Sequence, residues 1–539
     1  MRPGFRQAMA SLHTWSALVP GWILYFMFLT GTCGYFATQI DHWMRPELPL
    51  RSAVDPLQAL ARGSSWLQQH APNAARWAID VSGSDHAVLQ LGWSTPGDFR
   101  HSILLHLTGT GVTSDDMTPI EPRDTGGGHA LYQLHWALMY MPYQWAYWIV
   151  GTCAMTLLLA LISGVIVHRR IFKDLFIFRP GKGARSWLDA HVLLGVMALP
   201  YYFIIAYTGL VLLMTVYWPH LTDEIGHFDR HTSQMYERAF NQLDARDPHD
   251  FDRRPAGIAA PLVNIGDLAA RLPPQQGQLL YADVLNPGDA NARVIFIRLS
   301  NQPVSRPEET VFSGTTGELL YGGAAPSRVS ELNEIFTGLH EAKYANPLLR
   351  WCYFLSGLMG AATIATGLIQ WTTKRRRKYT RALSRWGLAL AERINVGVIA
   401  GLPVAIAAYF WANRLLPIRF DERASWEMNT LFCVWLAVLL YACGRPLMRG
   451  WFELLRLAAL GYGLLPLLNA VTTHRHLGVT LPHGHWQGDW ALAGFDLTAL
   501  ALGLLFAVIA WQVGRRTEAR HAAVQAVNLS APIRMETAE

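Results

Sequence analysis

Two stretches of the sequence share one unusual pattern: HTWSALVPGWILYFMFLTG at residues 13–31 and HVLLGVMALPYYFIIAYTG at residues 191–209. Each begins with a histidine and ends, eighteen positions later, with the glycine of a Thr-Gly pair, and no charged residue lies between. An apolar run of this length can cross the hydrocarbon core of a bilayer as a helix. The repetition predicts a fold built from two copies of one membrane-spanning unit.

The composition of the whole chain is that of a membrane protein. Of its 539 residues, 51% are hydrophobic and 16% are charged, whereas roughly 25% are charged in soluble proteins. The 21 tryptophans and 19 tyrosines suit the two interfaces of a bilayer. We therefore expect the lipid bilayer as a partner and no nucleic acid, despite a formal net charge of +6.

Apolar and polar runs divide the chain into about eight predicted transmembrane helices and their connections. The predicted segments are a first span at 1–37, a polar domain at 38–134, a second span at 135–168, a loop at 169–190, a third span at 191–218, a second polar domain at 219–345, a fourth span at 346–373, a basic loop at 374–393, four additional transmembrane helices at 394–515, and a tail at 516–539. Strand-like alternation in the polar stretches predicts a small α+β domain in each. The predicted fold is thus a polytopic α-helical membrane protein with two such domains, one between helices 1 and 2 and one between helices 3 and 4.

Lysine and arginine set the predicted orientation. The short links after the second and fourth spans, HRRIFKDLFIFRPGKGARSW at 168–187 and KRRRKYTRALSR at 374–385, are the richest in these residues. Short basic loops face the cytoplasm. This places the N- and C-termini in the cytoplasm and both polar domains on the outer side.

Four histidines occupy repeat-equivalent positions. His13 and His191 begin the first and third spans, whereas His135 and His340 each follow a leucine and precede a proline by seven positions. We name His13 and His191 the inner pair and His135 and His340 the outer pair, after their predicted sides of the membrane. Each of the first four spans also carries a Ser-Gly or Thr-Gly pair, with the glycines at Gly31, Gly164, Gly209 and Gly367.

These histidines are candidate haem ligands. Ionisable residues at membrane depth are costly and are usually functional, and a neutral imidazole is a good ligand for haem iron. Equivalent positions of two repeats face each other across a pseudo-two-fold axis, so each pair could hold one haem b. His168 could replace either member of the inner pair, or it could be an interfacial residue. The glycines could admit a porphyrin or simply allow close helix packing.

Three stretches resemble the PepSY-associated transmembrane helix family of bacterial inner-membrane proteins. They are LHTWSALVPGWILYFMFLTGT, SGVIVHRRIFKDLFIFRPGKGARSWLDAHVLLGVMALPYYFIIAYTGL and GLHEAKYANPLLRWCYFLSGLMGAATIATGLIQW, and the resemblance covers about residues 1–378. It implies a multi-pass protein of the inner membrane with two periplasmic PepSY-like domains. Some members are dihaem reductases of ferric siderophores, and by resemblance all five histidines named above occupy the family's histidine positions.

A second histidine cluster lies in the predicted outer loop THRHLGVTLPHGHWQGDW at 473–490. His474, His476, His483 and His485 form two His-x-His motifs, which could bind a transition metal. A solvated loop explains the same residues. The resemblance does not cover this loop or the other residues of the four additional helices.

The sequence therefore predicts a transmembrane oxidoreductase with two haems b per chain, which passes electrons to a ferric siderophore at the periplasmic face. The chain has no dinucleotide fingerprint in the right context, so a separate donor, a cytosolic reductase or a quinol, is expected. Three alternatives remain: a non-catalytic sensor that binds a partner through its PepSY-like domains, a siderophore or metal transporter, and a cytochrome that serves quinol oxidation. A sensor would need no haem, and a transporter would need polar residues inside the additional helices.

Overall fold

The structure is a computed structural model of the chain. It describes residues 4–15, 18–49, 54–83, 87–95, 98–107, 117–168, 179, 181–213, 254–272, 278–299, 307–322, 328–342, 344–376, 382–486 and 489–530. The helices are α1 (Phe5–Trp15), α2 (Leu18–Gly34), α3 (Ala37–Met44), α4 (Pro56–His70), α5 (Gly127–Ala137), α6 (Tyr143–Val167), α7 (Ala184–Met197), α8 (Leu199–Leu212), α9 (Ile265–Ala270), α10 (Arg328–Glu341), α11 (Pro347–Arg375), α12 (Ala382–Ile399), α13 (Gly401–Leu415), α14 (Arg423–Gly444), α15 (Leu447–Gly463), α16 (Leu465–Thr472), α17 (Leu477–Trp486) and α18 (Trp490–Ser530). The strands are β1 (Arg76–Asp80), β2 (Val88–Thr95), β3 (Asp98–Leu107), β4 (Met117–Pro119), β5 (Gln278–Leu285), β6 (Arg293–Leu299), β7 (Pro307–Ser313) and β8 (Leu319–Tyr321).

Several helical segments are long and apolar enough to cross a membrane. Among the described residues there are six: Tyr143–Val167, Pro347–Arg375, Arg385–Leu415, Arg423–Gly444, Leu447–Thr472 and Trp490–Glu518. The number rises to eight if each of two bent helix pairs, α1–α2 and α7–α8, is one span. Leu436, Leu440 and Leu504 on these helices are each more than half exposed, as expected of side chains that face lipid. The chain is therefore a membrane protein with six to eight candidate spans.

The helices that begin each repeat are bent, although the sequence suggests continuous helices. α1 and α2 meet at 61°, and α7 and α8 meet at 68°. Pro20 lies near the start of α2 and Pro200 in the first turn of α8. Proline lacks a backbone N–H and clashes with the carbonyl of the preceding turn, so it breaks a helix at this point. The inner histidines lie on the first arm of each bent pair.

The outer histidines lie on short helices of their own. The sequence predicts His135 at the start of the second span, but the structure places it in the last turn of α5, which ends before the spanning helix α6. His340 likewise lies in the last turn of α10, before α11. Left-handed residues separate the members of both helix pairs, with φ of 53° at Leu138 and at Ala342. A residue in this conformation commonly ends a helix, and the second repeat uses the same device as the first.

The two polar stretches share one sheet instead of forming two separate domains. The described strands make an eight-stranded antiparallel sheet in the order β4-β3-β2-β1-β5-β6-β7-β8. β1 and β5 join the halves, with Trp77 opposite Val284 and Ile79 opposite Ala282. One hydrophobic core draws on both halves, and α4 and α9 contribute to it. Sequence alternation finds the strands but cannot reveal that β1 pairs with a strand some 200 residues away, because each half supplies only one side of that pair.

Phe296 tests this shared core. It lies on β6, is fully buried and belongs to the core that both halves build. We expect Phe296→Ala to destabilise the sheet by about 3–5 kcal/mol, the usual cost of such a cavity. Thermal unfolding in detergent, followed by limited proteolysis of both halves, measures it. Leu319→Ala, at a position that is 54% exposed, is the control and should change little. If the half of the sheet that contains β1–β4 stayed resistant to proteolysis after the half with β5–β8 had unfolded, the shared core would be contradicted.

Three predicted segment boundaries need correction. The basic loop predicted at 374–393 contains the start of α12, and the tail predicted at 516–539 continues α18 as far as Ser530. The third span is predicted to begin at residue 191, but its first helix, α7, already starts at Ala184. The basic residues at 169–178 and the stretch 214–253 lie outside the described residues. Charged side chains at the ends of apolar runs hide the helix boundaries, since lysine, arginine and glutamate are good helix formers.

Candidate haem-binding site

The inner pair comes together as the repeat predicts. The ring centres of His13 and His191 lie 6.1 Å apart, and their ring planes make an angle of 71°. Both rings line a largely apolar cleft, part of which is open to the surroundings. Concave, mostly apolar surroundings are typical of small-molecule and cofactor sites.

The outer pair has nearly the same spacing. The ring centres of His135 and His340 lie 6.3 Å apart, with ring planes only 20° from parallel. An imidazole centre lies roughly 1.1 Å from its own nitrogen, so two rings on opposite sides of one metal, with bonds of about 2.0 Å, have centres roughly 6.2 Å apart. Both pairs match that distance. Each pair of rings would therefore be spaced suitably to hold one haem iron between them.

Hydrogen bonds orient three of these rings, and carbonyl acceptors fix the tautomer of two, His13 and His191. Nδ1 of His13 donates to the carbonyl of Ala160 at 2.8 Å, and Nδ1 of His191 donates to the carbonyl of Thr363 at 2.8 Å. Nδ1 of His340 lies 2.9 Å from the hydroxyl of Thr208. A ring that carries its proton on Nδ1 has its lone pair on Nε2. The Nε2 lone pairs of His13 and His191 are thus free of the ring proton, the arrangement usual for ligating histidines that make a second hydrogen bond.

The glycines of the four Ser/Thr-Gly pairs make room for the histidine rings. A Cβ added at Gly164 would lie 3.3 Å from Cε1 of His13, and one at Gly367 would lie 3.1 Å from Cε1 of His191. The outer pair repeats the arrangement, with His340 against Gly209 and His135 against Gly31. Each repeat therefore has two such contacts. A histidine in the first half of the repeat packs against the glycine of the second half, and a histidine in the second half packs against the glycine of the first. The sequence left open whether the glycines serve a porphyrin or helix packing; in the structure they contact the imidazoles.

The backbone acceptors follow the same repeat, and sequence analysis missed them. Ala160 and Thr363 each lie four positions before the glycine that contacts the same ring. A carbonyl and a glycine four residues apart lie on one face of a helix. The Ser/Thr-Gly pairs could have pointed to these acceptors, but the sequence does not show which histidine faces each pair.

His135 is held differently from the other three. Its Nδ1 bonds the carbonyl of Tyr132, which lies on its own helix α5. The hydroxyl of Tyr132 donates to Glu341 at 3.2 Å, so this tyrosine also links α5 to the end of α10. The orientation of the His135 ring consequently depends on the placement of α5 itself.

The outer histidines are neutral at physiological pH. Burial lowers the pKa of His135 to about 4 and that of His340 to about 3, and both lie outside the candidate membrane-spanning helices. Burial lowers a histidine pKa because it penalises the charged imidazolium. A neutral imidazole is the form that binds metals.

The remaining histidine candidates belong to neither ring pair. His168 directly follows α6 and lines the cleft that His13 and His191 share. The two rings that pair there are those of His13 and His191. His474 and His476 precede α17. His483 and His485 lie in α17, but their side chains are outside the described part of the structure. No group of three or more metal-binding side chains is found among the described residues, and the outer-loop metal site stays a prediction.

Family comparison identifies the region of the chain in which the four paired histidines lie. A family model described as PepSY-associated TM region matches residues 10–374, a range that includes the inner pair, the outer pair and His168. The chain belongs to this family. The resemblance seen in the sequence is thereby confirmed, and the residues after the match form the additional helices α12–α18.

A relative in Pseudomonas aeruginosa has a comparable extent. The protein named Uncharacterized protein PA4219 is 27% identical to this chain over 382 residues. The alignment covers 68% of this chain and 90% of that protein. The similarity thus extends over nearly the whole relative, while about a third of this chain lies outside it.

Proposed function

We propose that this protein is a dihaem b-type cytochrome of the bacterial inner membrane, which passes electrons to a ferric siderophore at the periplasmic face. One observation carries the proposal: two pairs of histidine rings, with centres 6.1 Å and 6.3 Å apart, stand at repeat-equivalent positions. A single pair at this spacing could be a coincidence of packing. The same spacing occurs in two pairs, and every ring contacts a glycine. This repetition favours the same role, haem binding, for both pairs.

In this proposal His13 and His191 hold one haem, and His135 and His340 hold the other. Haem supplies one-electron chemistry when bound. The chain's own part would be to present Nε2 of each ring, to orient the ring through Nδ1, and to line the cleft with apolar side chains. Apolar surroundings and the hydrogen bonds of the axial ligands tune a haem potential.

The two pairs are close enough along the bundle to act as one path. Gly21 lines the inner cleft and Gly31 contacts His135, and both lie on α2. Ten helical residues cover about 15 Å. Electrons from a quinol or a cytosolic reductase would reach the inner pair first and the outer pair second.

The expected substrate follows from the chemistry of iron release. Each ferric ion takes up one electron and becomes ferrous, and the donor is oxidised by the same amount. Siderophores with hard oxygen ligands hold the softer ferrous ion much less tightly. The eight-stranded sheet would lie in the periplasm and bring the ferric complex to the outer pair.

Absorption and EPR spectra of the detergent-purified protein test this function. We expect two low-spin haems b per chain by the pyridine haemochrome assay. Their EPR signals should differ, because the ring planes make 71° in one pair and 20° in the other. The reduced protein should be reoxidised by a ferric hydroxamate or catecholate, with ferrous iron trapped by a chelator.

Two results would contradict the proposal. A protein that binds no haem, after expression with haem supplied, cannot be a cytochrome, and a sensor role for the sheet would then be favoured. A dihaem protein that ferric siderophores do not reoxidise would instead fit quinol oxidation.

A further inference from the structure

We propose that two of the additional helices, α13 and α14, set the position of His135 through a buried polar network at the start of α5. We call this network the α5 clamp and define it as Thr125, Tyr409, Asn413, Arg423 and Glu427. The inference rests on the proposed function, because it assigns the additional helices the role of positioning one haem ligand. In this reading His135 binds the iron, and the clamp residues act on it only through α5.

The centre of the clamp is a fully buried ion pair. Arg423 and Glu427 stand one turn apart on α14, and neither side chain is exposed to solvent. The amide of Asn413 on α13 donates to Glu427 at 2.8 Å, and the hydroxyl of Thr125 donates to the other carboxylate oxygen. A buried charge pair is tolerated when further hydrogen bonds satisfy its remaining atoms. Thr125, just before α5, is one of the partners that do so.

The clamp reaches the first residues of α5 through several bonds. The hydroxyl of Thr125 accepts from the backbone N–H of Gly127 at 3.1 Å, and the hydroxyl of Tyr409 donates to the carbonyl of Gly127 at 2.9 Å. Arg423 donates to the carbonyl of Asp124 at 2.9 Å. The clamp therefore holds the chain on both sides of Thr125, at the N-terminal end of α5.

Helix α3 closes the same turn from the opposite side. Asp41 accepts from the N–H of Gly128 at 3.0 Å. Gly127 has φ of 61°, and a Cβ added there would lie 1.6 Å from the carboxylate of Asp41. Only glycine fits this position. The GGGH segment at 126–129 thus marks a helix start enclosed between α3 and the clamp.

A fixed start of α5 fixes His135. Eight residues of helix, about 12 Å, separate Gly127 from His135, and Leu131 and Leu134 between them are fully buried. Helices move as rigid units over this length. The other three histidines are oriented by partners on a facing helix, whereas His135 is oriented by Tyr132 on α5. A tilt of α5 would therefore move the His135 ring relative to His340.

The test removes hydroxyl groups and leaves the buried charges in place. Thr125→Val with Tyr409→Phe deletes two contacts between the clamp and α5 while leaving the Arg423–Glu427 pair intact. The matched control is Thr480→Val with Tyr25→Phe. Tyr25 also donates its hydroxyl to a backbone carbonyl of an additional helix, that of Ile399 at 2.9 Å, and Thr480 is fully buried.

Both full-length variants are titrated with hemin after haem removal, and the two EPR signals are followed separately. We expect the clamp variant to bind the outer haem about tenfold more weakly, the usual scale for loss of a group behind a ligand, with an altered EPR signal from that haem alone. The inner haem and the control variant should behave like the wild type. Hydrogen exchange of residues 129–137 in the haem-free protein should be faster in the clamp variant only.

The outcomes separate this inference from the proposed function. Wild-type outer-haem affinity and unchanged exchange in α5 would overturn the inference, even in a protein that holds two haems. Equal loss of both haems would also overturn it, because a general loss of stability would then explain the result. If the wild type binds no haem, the proposed function fails, and unchanged exchange of α5 would refute the clamp independently.

Discussion

Replacing both outer histidines, by His135→Ala with His340→Ala, is expected to leave one haem per chain instead of two. The retained haem should show the EPR signal of the inner pair, because His13 and His191 are held by Gly164 and Gly367, which the substitutions do not touch. Reduction of a ferric siderophore should fall by roughly a hundredfold or more, since electrons would stop at the inner haem. The pyridine haemochrome assay and EPR spectra of the purified variant measure the loss.

Two further variants make this result specific. His13→Ala with His191→Ala should remove the other EPR signal and spare the first. His474→Ala with His476→Ala changes two histidines that precede α17 and belong to neither ring pair, and this variant should retain both haems and full activity. Survival of both haems in the outer-pair variant would refute the assignment of His135 and His340. Loss of a haem in the His474 and His476 variant would indicate that the loop before α17 takes part in haem binding.

The pairing of the histidines could be predicted from the sequence because a duplication carries geometric information. Equivalent positions of two repeats must face each other if the repeats pack about a two-fold axis, and the spacing of His13 and His191 from their Thr-Gly pairs identified such positions. The spacings of 6.1 Å and 6.3 Å agree with that argument. The contact between each ring and the glycine of a neighbouring helix could not be predicted, because it depends on which helices adjoin.

The shared sheet and the α5 clamp could not be predicted from sequence patterns for a related reason. Alternation of apolar residues reports which face of a strand is buried, but not which strand lies beside it, so β1 and β5 were assigned to separate domains. In the additional helices, Asn469 and Asp496 look like isolated polar residues in the sequence. In the structure the amide of Asn469 donates to Asp496 at 3.1 Å, and the indole of Trp43 donates to Asp496 at 2.9 Å.

These buried polar groups also bear on the transporter alternative. A transport path would need polar residues along the length of the additional helices. The buried polar residues described above, including Asn413, Arg423 and Glu427, bond to one another or to the segments around α3 and α5. Their arrangement is that of an interface between the additional helices and the family region, which agrees with a positioning role.

Gly367→Ala is expected to weaken binding of the inner haem while the protein stays folded. The new methyl group would lie 3.1 Å from Cε1 and 3.2 Å from Nδ1 of His191, closer than ordinary van der Waals contact allows. The ring would have to move away from α11, and its hydrogen bond to the carbonyl of Thr363 would weaken. Because that bond orients the ring behind its ligating nitrogen, we expect about 10–100-fold weaker binding of the inner haem. Hemin titration with EPR detection measures the change, and the outer signal should stay as in the wild type.

Gly494→Ala provides the matched control for this substitution. Gly494 also lies inside a long helix, α18, but a Cβ added there would have no neighbour within 4 Å. Alanine stabilises a helix interior by about 1 kcal/mol relative to glycine, so both variants gain the same intrinsic helix propensity and differ only in what the methyl group meets. A loss of the inner haem in Gly367→Ala but not in Gly494→Ala would therefore identify steric displacement of His191 as its cause. If Gly367→Ala bound both haems with unchanged spectra, the close fit between glycine and imidazole would have no part in haem binding, and the four Ser/Thr-Gly pairs would serve helix packing alone.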